Sequence, residues 1–218
     1  MTGDYPARPS RRQGRGERYA EGRGRHVDGR GYKDVGRGGQ KLAPSFRLFF
    51  AVEIPEEAVR QLADWQRLYL CSDRGFRMVP EGQLHITLAF LGQKGEQEKE
   101  LAAGQLEIIA GSKAFEVACT GLIGLPKDRT LRVIAAVCEE PSGRLMAIRD
   151  QLVSALAEKD LYEREKRPYF PHVTIARARG LTLFDPKNIN ADTIKFTAVR
   201  ATLSNSFLKP TRTLHDAL

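Results

Sequence analysis

An α+β fold of two similar lobes is what the sequence predicts, and three observations predict it. The order strand, helix, strand occurs twice along the chain. The second strand of each copy carries the tripeptide His-x-Thr, at His85 and again at His172. The 38 positions from Arg47 to His85 nearly equal the 41 from Leu131 to His172. Such a repeat reads as an internal duplication whose matching strands face one another.

Phe46-Arg-Leu-Phe-Phe-Ala-Val-Glu-Ile54 is dense in apolar and aromatic residues and has strand length. Pro55-Glu56-Glu57 opens a helix, with proline in the first turn and acids near the positive end of the dipole. Ala58, Leu62, Trp65 and Tyr69 continue it as an apolar stripe at 4-3-4 spacing. A turn at Gly75 and the pair Met78-Val79 precede the strand Leu84–Leu91. A helix is expected over about 95–110 and a strand near 114–120. In the second copy Leu131–Val137 is a strand. Ser142 is expected to cap a helix that carries Leu145, Ile148, Leu152 and Leu156 at helical spacing. The proline-punctuated loop Arg167-Pro-Tyr-Phe-Pro171 leads into the strand His172–Ala176, and strands near 194–207 complete a sheet.

Residues 1–44 differ in kind, with ten Gly, nine Arg and few aliphatic side chains. They cannot bury enough apolar surface to offset the entropy of ordering, so they are expected to be disordered. They read either as a solubilising leader or as an arm that touches RNA phosphates, as arginine-rich disordered segments do. The ordered domain is then 45–218. Of 35 basic and 27 acidic residues the tail holds 11 and 5, a net +6, which leaves the domain 24 and 22, a net +2. The domain is therefore not basic throughout, although a local basic site is open to it.

Cys71, Cys119 and Cys138 are odd in number and form no CxxC pair. That argues against a disulfide framework and a zinc site and fits a reducing cytosol. No apolar run approaches the roughly 18 residues that a spanning helix needs. The N-terminus lacks the apolar stretch of a secretory signal. A cytoplasmic location is expected.

His85-Ile-Thr-Leu88 and His172-Val-Thr-Ile175 are the informative residues. In a strand, positions i and i+2 share a face, about 6.6–7 Å apart. Each motif then shows an imidazole and a hydroxyl to one side and two aliphatics to the other. The aliphatic side packs on helices, which leaves the polar side to a cavity, since unpartnered buried imidazoles are costly. A single His-x-Thr would mean a satisfied core histidine; two copies at equivalent places of a repeat point to a catalytic pair. Metal binding is a poor rival, because each motif offers one ligand and no Asp, Glu or Cys. A nucleophilic triad is another, because no carboxylate orienter lies within the motif and no Gly-x-Ser-x-Gly elbow exists. Acid–base work fits better. Imidazole titrates near pH about 6.5, so one ring can be neutral while its partner is protonated. One deprotonates water and the other protonates the departing oxygen in an in-line displacement at phosphorus. Threonine hydroxyls and a cation hold the non-bridging oxygens, and neither metal nor cofactor is required.

At these residues the sequence resembles the two-histidine phosphoesterases, specifically the RNA 2′,3′-cyclic phosphodiesterases also called 2′-5′ RNA ligases. The resemblance spans nearly all of 46–208. It rests on Arg47-Leu-Phe-Phe-Ala51 with Pro55, on Leu84-His-Ile-Thr-Leu-Ala-Phe-Leu-Gly92, and on Arg167-Pro-Tyr-Phe-Pro-His-Val-Thr-Ile-Ala-Arg177. It implies a bilobal α+β fold, each lobe an antiparallel sheet with helices outside and the His-x-Thr strands lining a central groove. It implies hydrolysis of RNA ends or small nucleotides bearing a 2′,3′-cyclic phosphate to the 2′-phosphate. His85 is then the proton donor to O3′ and His172 the proton acceptor from water. Thr87, Thr174 and Arg177 match phosphate-binding positions, although Arg177 also reads as a surface arginine at a strand end. Phe50 matches a base-stacking aromatic, although core packing would suit it equally. The chain departs from the family where Ser204–Thr211 carries Pro210 and lacks a tyrosine. His26 and His215 are taken as incidental. No membrane partner is expected, and a monomer is. Two other readings are a 2′-5′ ligase running the same groups in reverse and an RNA-binding module without turnover.

Overall fold

The computed structural model describes residues 45–70, 75–110, 112–126, 130–180, 182, 184–185, 189–208 and 213–217. The expected disorder of 1–44, and Cys71 and Pro210, lie outside them. The elements run β1 (Phe46–Glu53), α1 (Glu56–Tyr69), β2 (Phe76–Met78), β3 (His85–Lys94), α2 (Glu96–Ala103), α3 (Leu106–Ala110) and β4 (Phe115–Leu125). They continue with β5 (Val133–Glu139), α4 (Arg144–Glu158), β6 (His172–Ala178), β7 (Ile194–Ala198), β8 (Ala201–Leu208) and β9 (Thr213–Ala217).

Two expected helix features differ. The helix expected over 95–110 is two helices, α2 and α3, because Gly104 is a poor helix former and the Gln105 N–H turns back to the Ala102 carbonyl at 2.9 Å. Ser142 does not cap α4. Gly143 precedes the helix at φ 75°, a left-handed conformation that glycine adopts without a Cβ clash. The cap comes instead from Glu140, whose carboxylate accepts from the backbone N–H groups of Ser142 and Leu145, both at 2.9 Å, and from the Ser142 hydroxyl. Burial pushes the Glu140 carboxyl up, but the Ser142 hydroxyl and the N–H groups of Leu145, Ser142 and Arg144 outweigh it and hold it below the usual carboxylate range.

The described strands form one antiparallel sheet in the order β7-β4-β5-β6-β3-β1-β8-β9, with β2 beside β6. The two lobes are the runs β3-β1-β8-β9 and β6-β5-β4-β7. They meet where β3 and β6 pair at Ile86 and Val173. The expected strands near 194–207 are thus split, β7 going to the outer edge of one lobe and β8 to the other. The helices cross over as well. α1, which connects β1 to β3, packs on β6 and β7, whereas α4, which connects β5 to β6, packs on β3.

One apolar cluster runs through both lobes, with Leu48, Phe50, Ile86, Ile134, Leu145, Leu152, Val173 and Ile175 removed from solvent. Each such side chain contributes about 1.5–3 kcal/mol of burial. The buried face of each His-x-Thr strand anchors this core, and its other face is left for the groove.

Candidate active site

Antiparallel pairing about Ile86 and Val173 sets His85 across from Thr174 and Thr87 across from His172. Ile86 and Leu88 on one strand, and Val173 and Ile175 on the other, turn into the core. A groove of about 570 Å³ is lined by both histidines, both threonines and Arg177.

Arg177 stands five residues after His172, and an odd spacing along a regular strand would put it on the core face. A β-bulge changes the parity. Ala135 pairs with Thr174 and Ile134 with Ala176, so Ile175 is an extra residue in β6. Ile175 and Ala176 are both buried, and Arg177 emerges on the groove side. Strand β3 has the same irregularity. Phe50 pairs with Ala89 and Ala51 with Thr87, which makes Leu88 the extra residue. Phe90, five residues after His85, emerges into the groove in the same way.

Each bulge is held by a side chain from elsewhere in the chain. The buried Gln66 amide of α1 donates to the carbonyls of Ile175 (2.8 Å) and Val79 (2.7 Å). The Tyr169 hydroxyl donates to the Thr87 carbonyl at 2.8 Å. Burial first, and then the neighbouring Cys138, push that phenol well above its usual range, so it stays a donor.

The two imidazoles are oriented alike. His85 Nδ1 lies 2.7 Å from the Gln83 carbonyl, and His172 Nδ1 lies 2.7 Å from the Phe170 carbonyl. A carbonyl only accepts, so Nδ1 carries the proton in both rings and Nε2 is the atom that gains or loses one. The local sequence sets this geometry. Pro171 confines Phe170 to extended backbone, and Leu84 is extended after the short 3-10 turn Glu81–Gln83. Their surroundings differ. His85 Nε2 is 3.1 Å from Thr87 Oγ1, and its ring lies 4.9 Å from that of Phe49. His172 stacks on Phe170 at 5.9 Å.

Three guanidinium groups line the groove, from Arg47, Arg77 and Arg177. Arg77 and Arg177 are register partners on β2 and β6. The Arg177 side chain is exposed and makes no hydrogen bond or ion pair among the described residues. Loss of solvent on the groove side, then the charges of Arg77 and Arg47, lower its pKa, yet a guanidinium stays protonated. Such a cluster is relieved by an anion. Among the described residues no three His, Cys, Asp or Glu side chains gather as a metal-binding group.

Phe50 is a correction. It is 0% exposed and belongs to the core, because even-numbered residues of β1 point away from the groove. It cannot stack on a base. Phe49 points to the groove but is 4% exposed. The open aromatic face is Phe90, 40% exposed, with Arg47 packed over its ring at 4.7 Å. Sequence reasoning missed Phe90 although the signal was present: His85-Ile-Thr-Leu-Ala-Phe90 aligns residue for residue with His172-Val-Thr-Ile-Ala-Arg177. Arg47 and Tyr169 lie within the motifs that carry the resemblance but received no role there, and Gln66 and Arg77 carried no comparable signal. In the C-terminal segment that departs from the family pattern, Ser206 of β8 lines the groove.

An Escherichia coli K12 protein named RNA 2',3'-cyclic phosphodiesterase is 31% identical over 134 residues, 60% of this chain and 71% of that protein. A Thermus thermophilus protein of the same name is 33% identical over 139 residues, 62% of this chain and 69% of its own. The crystal structure of E. coli LigT complexed with 3'-AMP superposes with a TM-score of 0.63 at 26% identity, covering 80% of this chain and 96% of LigT. Residues 54–208 match the family described as the 2'-5' RNA ligase superfamily. With that match over most of its length, and two His-x-Thr strands meeting at one groove, the chain belongs to the 2'-5' RNA ligase superfamily.

Proposed function

We propose that this chain is an RNA 2′,3′-cyclic phosphodiesterase that opens the cyclic phosphate at an RNA end to a 2′-phosphate. One observation carries the reading: two imidazoles, each with Nδ1 tied to the carbonyl two residues earlier, turn toward one groove lined by arginines. In the mechanism, phosphorus sits between the two Nε2 atoms. Neutral His172 takes a proton from water as the water oxygen attacks phosphorus. Protonated His85 gives its Nε2 proton to O3′ as the P–O3′ bond breaks. The product keeps its P–O2′ bond, and the two rings exchange protons with solvent to reset. Arg177, Thr87 and Thr174 hold the non-bridging oxygens, where charge grows in the transition state. Phe90 offers the face on which the terminal base stacks. No metal is needed, since the leaving oxygen receives a proton.

The names of the E. coli and Thermus relatives support the same substrate class. Joining ends through a 2′-5′ bond is the same reaction reversed, and hydrolysis prevails in dilute water. The enzyme acts as a monomer in the cytosol. In support of a reducing compartment, Cys119 and Cys138 face each other as free cysteines, Sγ to Sγ 3.7 Å. No helix among the described residues is long and apolar enough to cross a membrane.

The test is incubation with a 2′,3′-cyclic mononucleotide in the presence of EDTA. The 2′-phosphate is the expected product. The 3′-phosphate would reverse the leaving-group assignment, and RNA binding without turnover would leave only a binding module.

A further inference from the structure

Two further cavities flank the groove, and their charges are opposite. At the His85 end, a cavity of about 500 Å³ has Glu53, Glu56 and Glu81 as its charged lining residues. At the other, a larger cavity of about 880 Å³ is lined by Arg132, Arg149 and Arg167, opposed by the single carboxylate Glu165. This second cavity shares Thr87, Phe90 and His172 with the groove, so the two are continuous. Its aromatic surface comes from Tyr169 and Phe170.

The three arginines are not equivalent. Arg149 is committed: its guanidinium lies 4.6 Å from the Tyr169 ring centre and pairs with Asp150 at 3.1 Å. Arg132 and Arg167 are exposed, and neither side chain has a hydrogen-bond or ion-pair partner among the described residues. Guanidinium forks match phosphate oxygens, and aromatic faces match unpaired bases. Both size and lining fall in the range of small-ligand sites.

We infer that this arginine-flanked cavity binds the nucleotide on the 5′ side of the one that bears the cyclic phosphate. The inference rests on the activity proposed above. An RNA end differs from a free cyclic mononucleotide by one phosphodiester charge and one more base, and the cavity supplies a place for each. Arg132 and Arg167 take the phosphodiester. The base lies against Phe170, and Phe90 separates it from the terminal base. On the other flank Glu56 is paired with Arg60 and Glu53 lies 4.0 Å from Arg200. No arginine or lysine among the described residues lines that cavity to take a phosphodiester, so the upstream strand leaves over Arg132 and Arg167. The enzyme therefore selects an oligonucleotide end over a mononucleotide.

The experiment compares kcat/KM for adenosine 2′,3′-cyclic phosphate with that for the dinucleotide ApA carrying the same cyclic end. The wild-type chain should favour the dinucleotide by at least about tenfold. R132Q/R167Q should bring the ratio close to one, leaving mononucleotide turnover within about twofold of wild type, and R132K/R167K should restore part of it. Equal rates on both substrates in the wild type would overturn the inference. So would a double variant that slows both substrates alike. Should neither substrate turn over, the proposed activity falls, and calorimetric titration with the two 2′-phosphate products decides the subsite by itself. Dinucleotide binding should be tighter than mononucleotide binding, with a steeper salt dependence that R132Q/R167Q removes. Matching affinities and salt slopes would refute it.

Discussion

On β3 a bulge at Leu88 turns Phe90 into the groove; on β6 the equivalent bulge at Ile175 turns Arg177 into it. Both strands hold the imidazole by the same carbonyl contact and send the same aliphatic positions to the core. They differ at the fifth residue after the histidine, where one offers an aromatic face and the other a cation. In the proposed mechanism the repeated strand keeps its acid–base frame, and the flanking position serves a base on one side and a phosphate on the other. Each bulge is braced from the other half of the chain, β6 by Gln66 and β3 by Tyr169.

The sharpest way to break this comparison is to remove each imidazole. His85→Ala and His172→Ala should each lower kcat by about 10²–10⁴-fold at unchanged fold. Their pH profiles should part. The wild-type curve should be bell-shaped, its rising limb set by the base losing a proton and its falling limb by the acid losing one. His172→Ala should abolish the rising limb and His85→Ala the falling one; the reverse result would exchange the two roles.

The next effect separates the divergent positions. Arg177→Ala removes charge-assisted bonds worth about 1.5–3 kcal/mol and should raise KM for every substrate accordingly. Phe90→Ala removes a stacking face worth about 1–3 kcal/mol per base, so it should penalise nucleotides but not a base-free ribose cyclic phosphate. Phe50→Ala is the contrast. It should cost about 3–5 kcal/mol of stability by denaturant unfolding, and a stable variant with a raised KM would return Phe50 to the groove.

Bracing sharpens the comparison further. Gln66→Leu and Tyr169→Phe each leave buried carbonyls short of a donor, at about 1–3 kcal/mol. Gln66→Leu should copy the Arg177→Ala rise in KM, and Tyr169→Phe should copy Phe90→Ala. Variants that lose stability without that split would show that the bulges hold unaided.

The smallest effect lies away from the groove. Glu140 has a depressed carboxyl pKa in the folded chain, so its contribution is complete above the unfolded value and is lost as pH falls through the folded one. Glu140→Gln should lower Tm slightly and evenly at neutral pH. That difference should vanish as pH drops below the ordinary carboxylate range, and a difference that persists in acid would show a packing effect instead.

Much of this protein was legible in the order of its residues. A dense apolar run of strand length marks β1, period-two alternation marks β3 and β6, the 4-3-4 stripe marks α1, and the repeated His-x-Thr marks the two imidazoles with their hydroxyls, because each of these patterns is local. The helix break at Gly104 and the Glu140 cap escaped, since Ser142 and a long polar stretch offered plausible local alternatives. What only the tertiary structure decided is which face a side chain takes once a bulge intervenes. An extra residue reverses strand parity, and nothing in the strand itself reports it; the partner strand and a distant brace such as Gln66 do. Thus Phe50 was exchanged for Phe90, and Arg177 reached the groove by a route that its spacing alone would have forbidden. The opposite charges of the flanking cavities are tertiary too, because Arg132, Arg149 and Arg167 lie on three separate segments that meet only when the sheet closes beside His172.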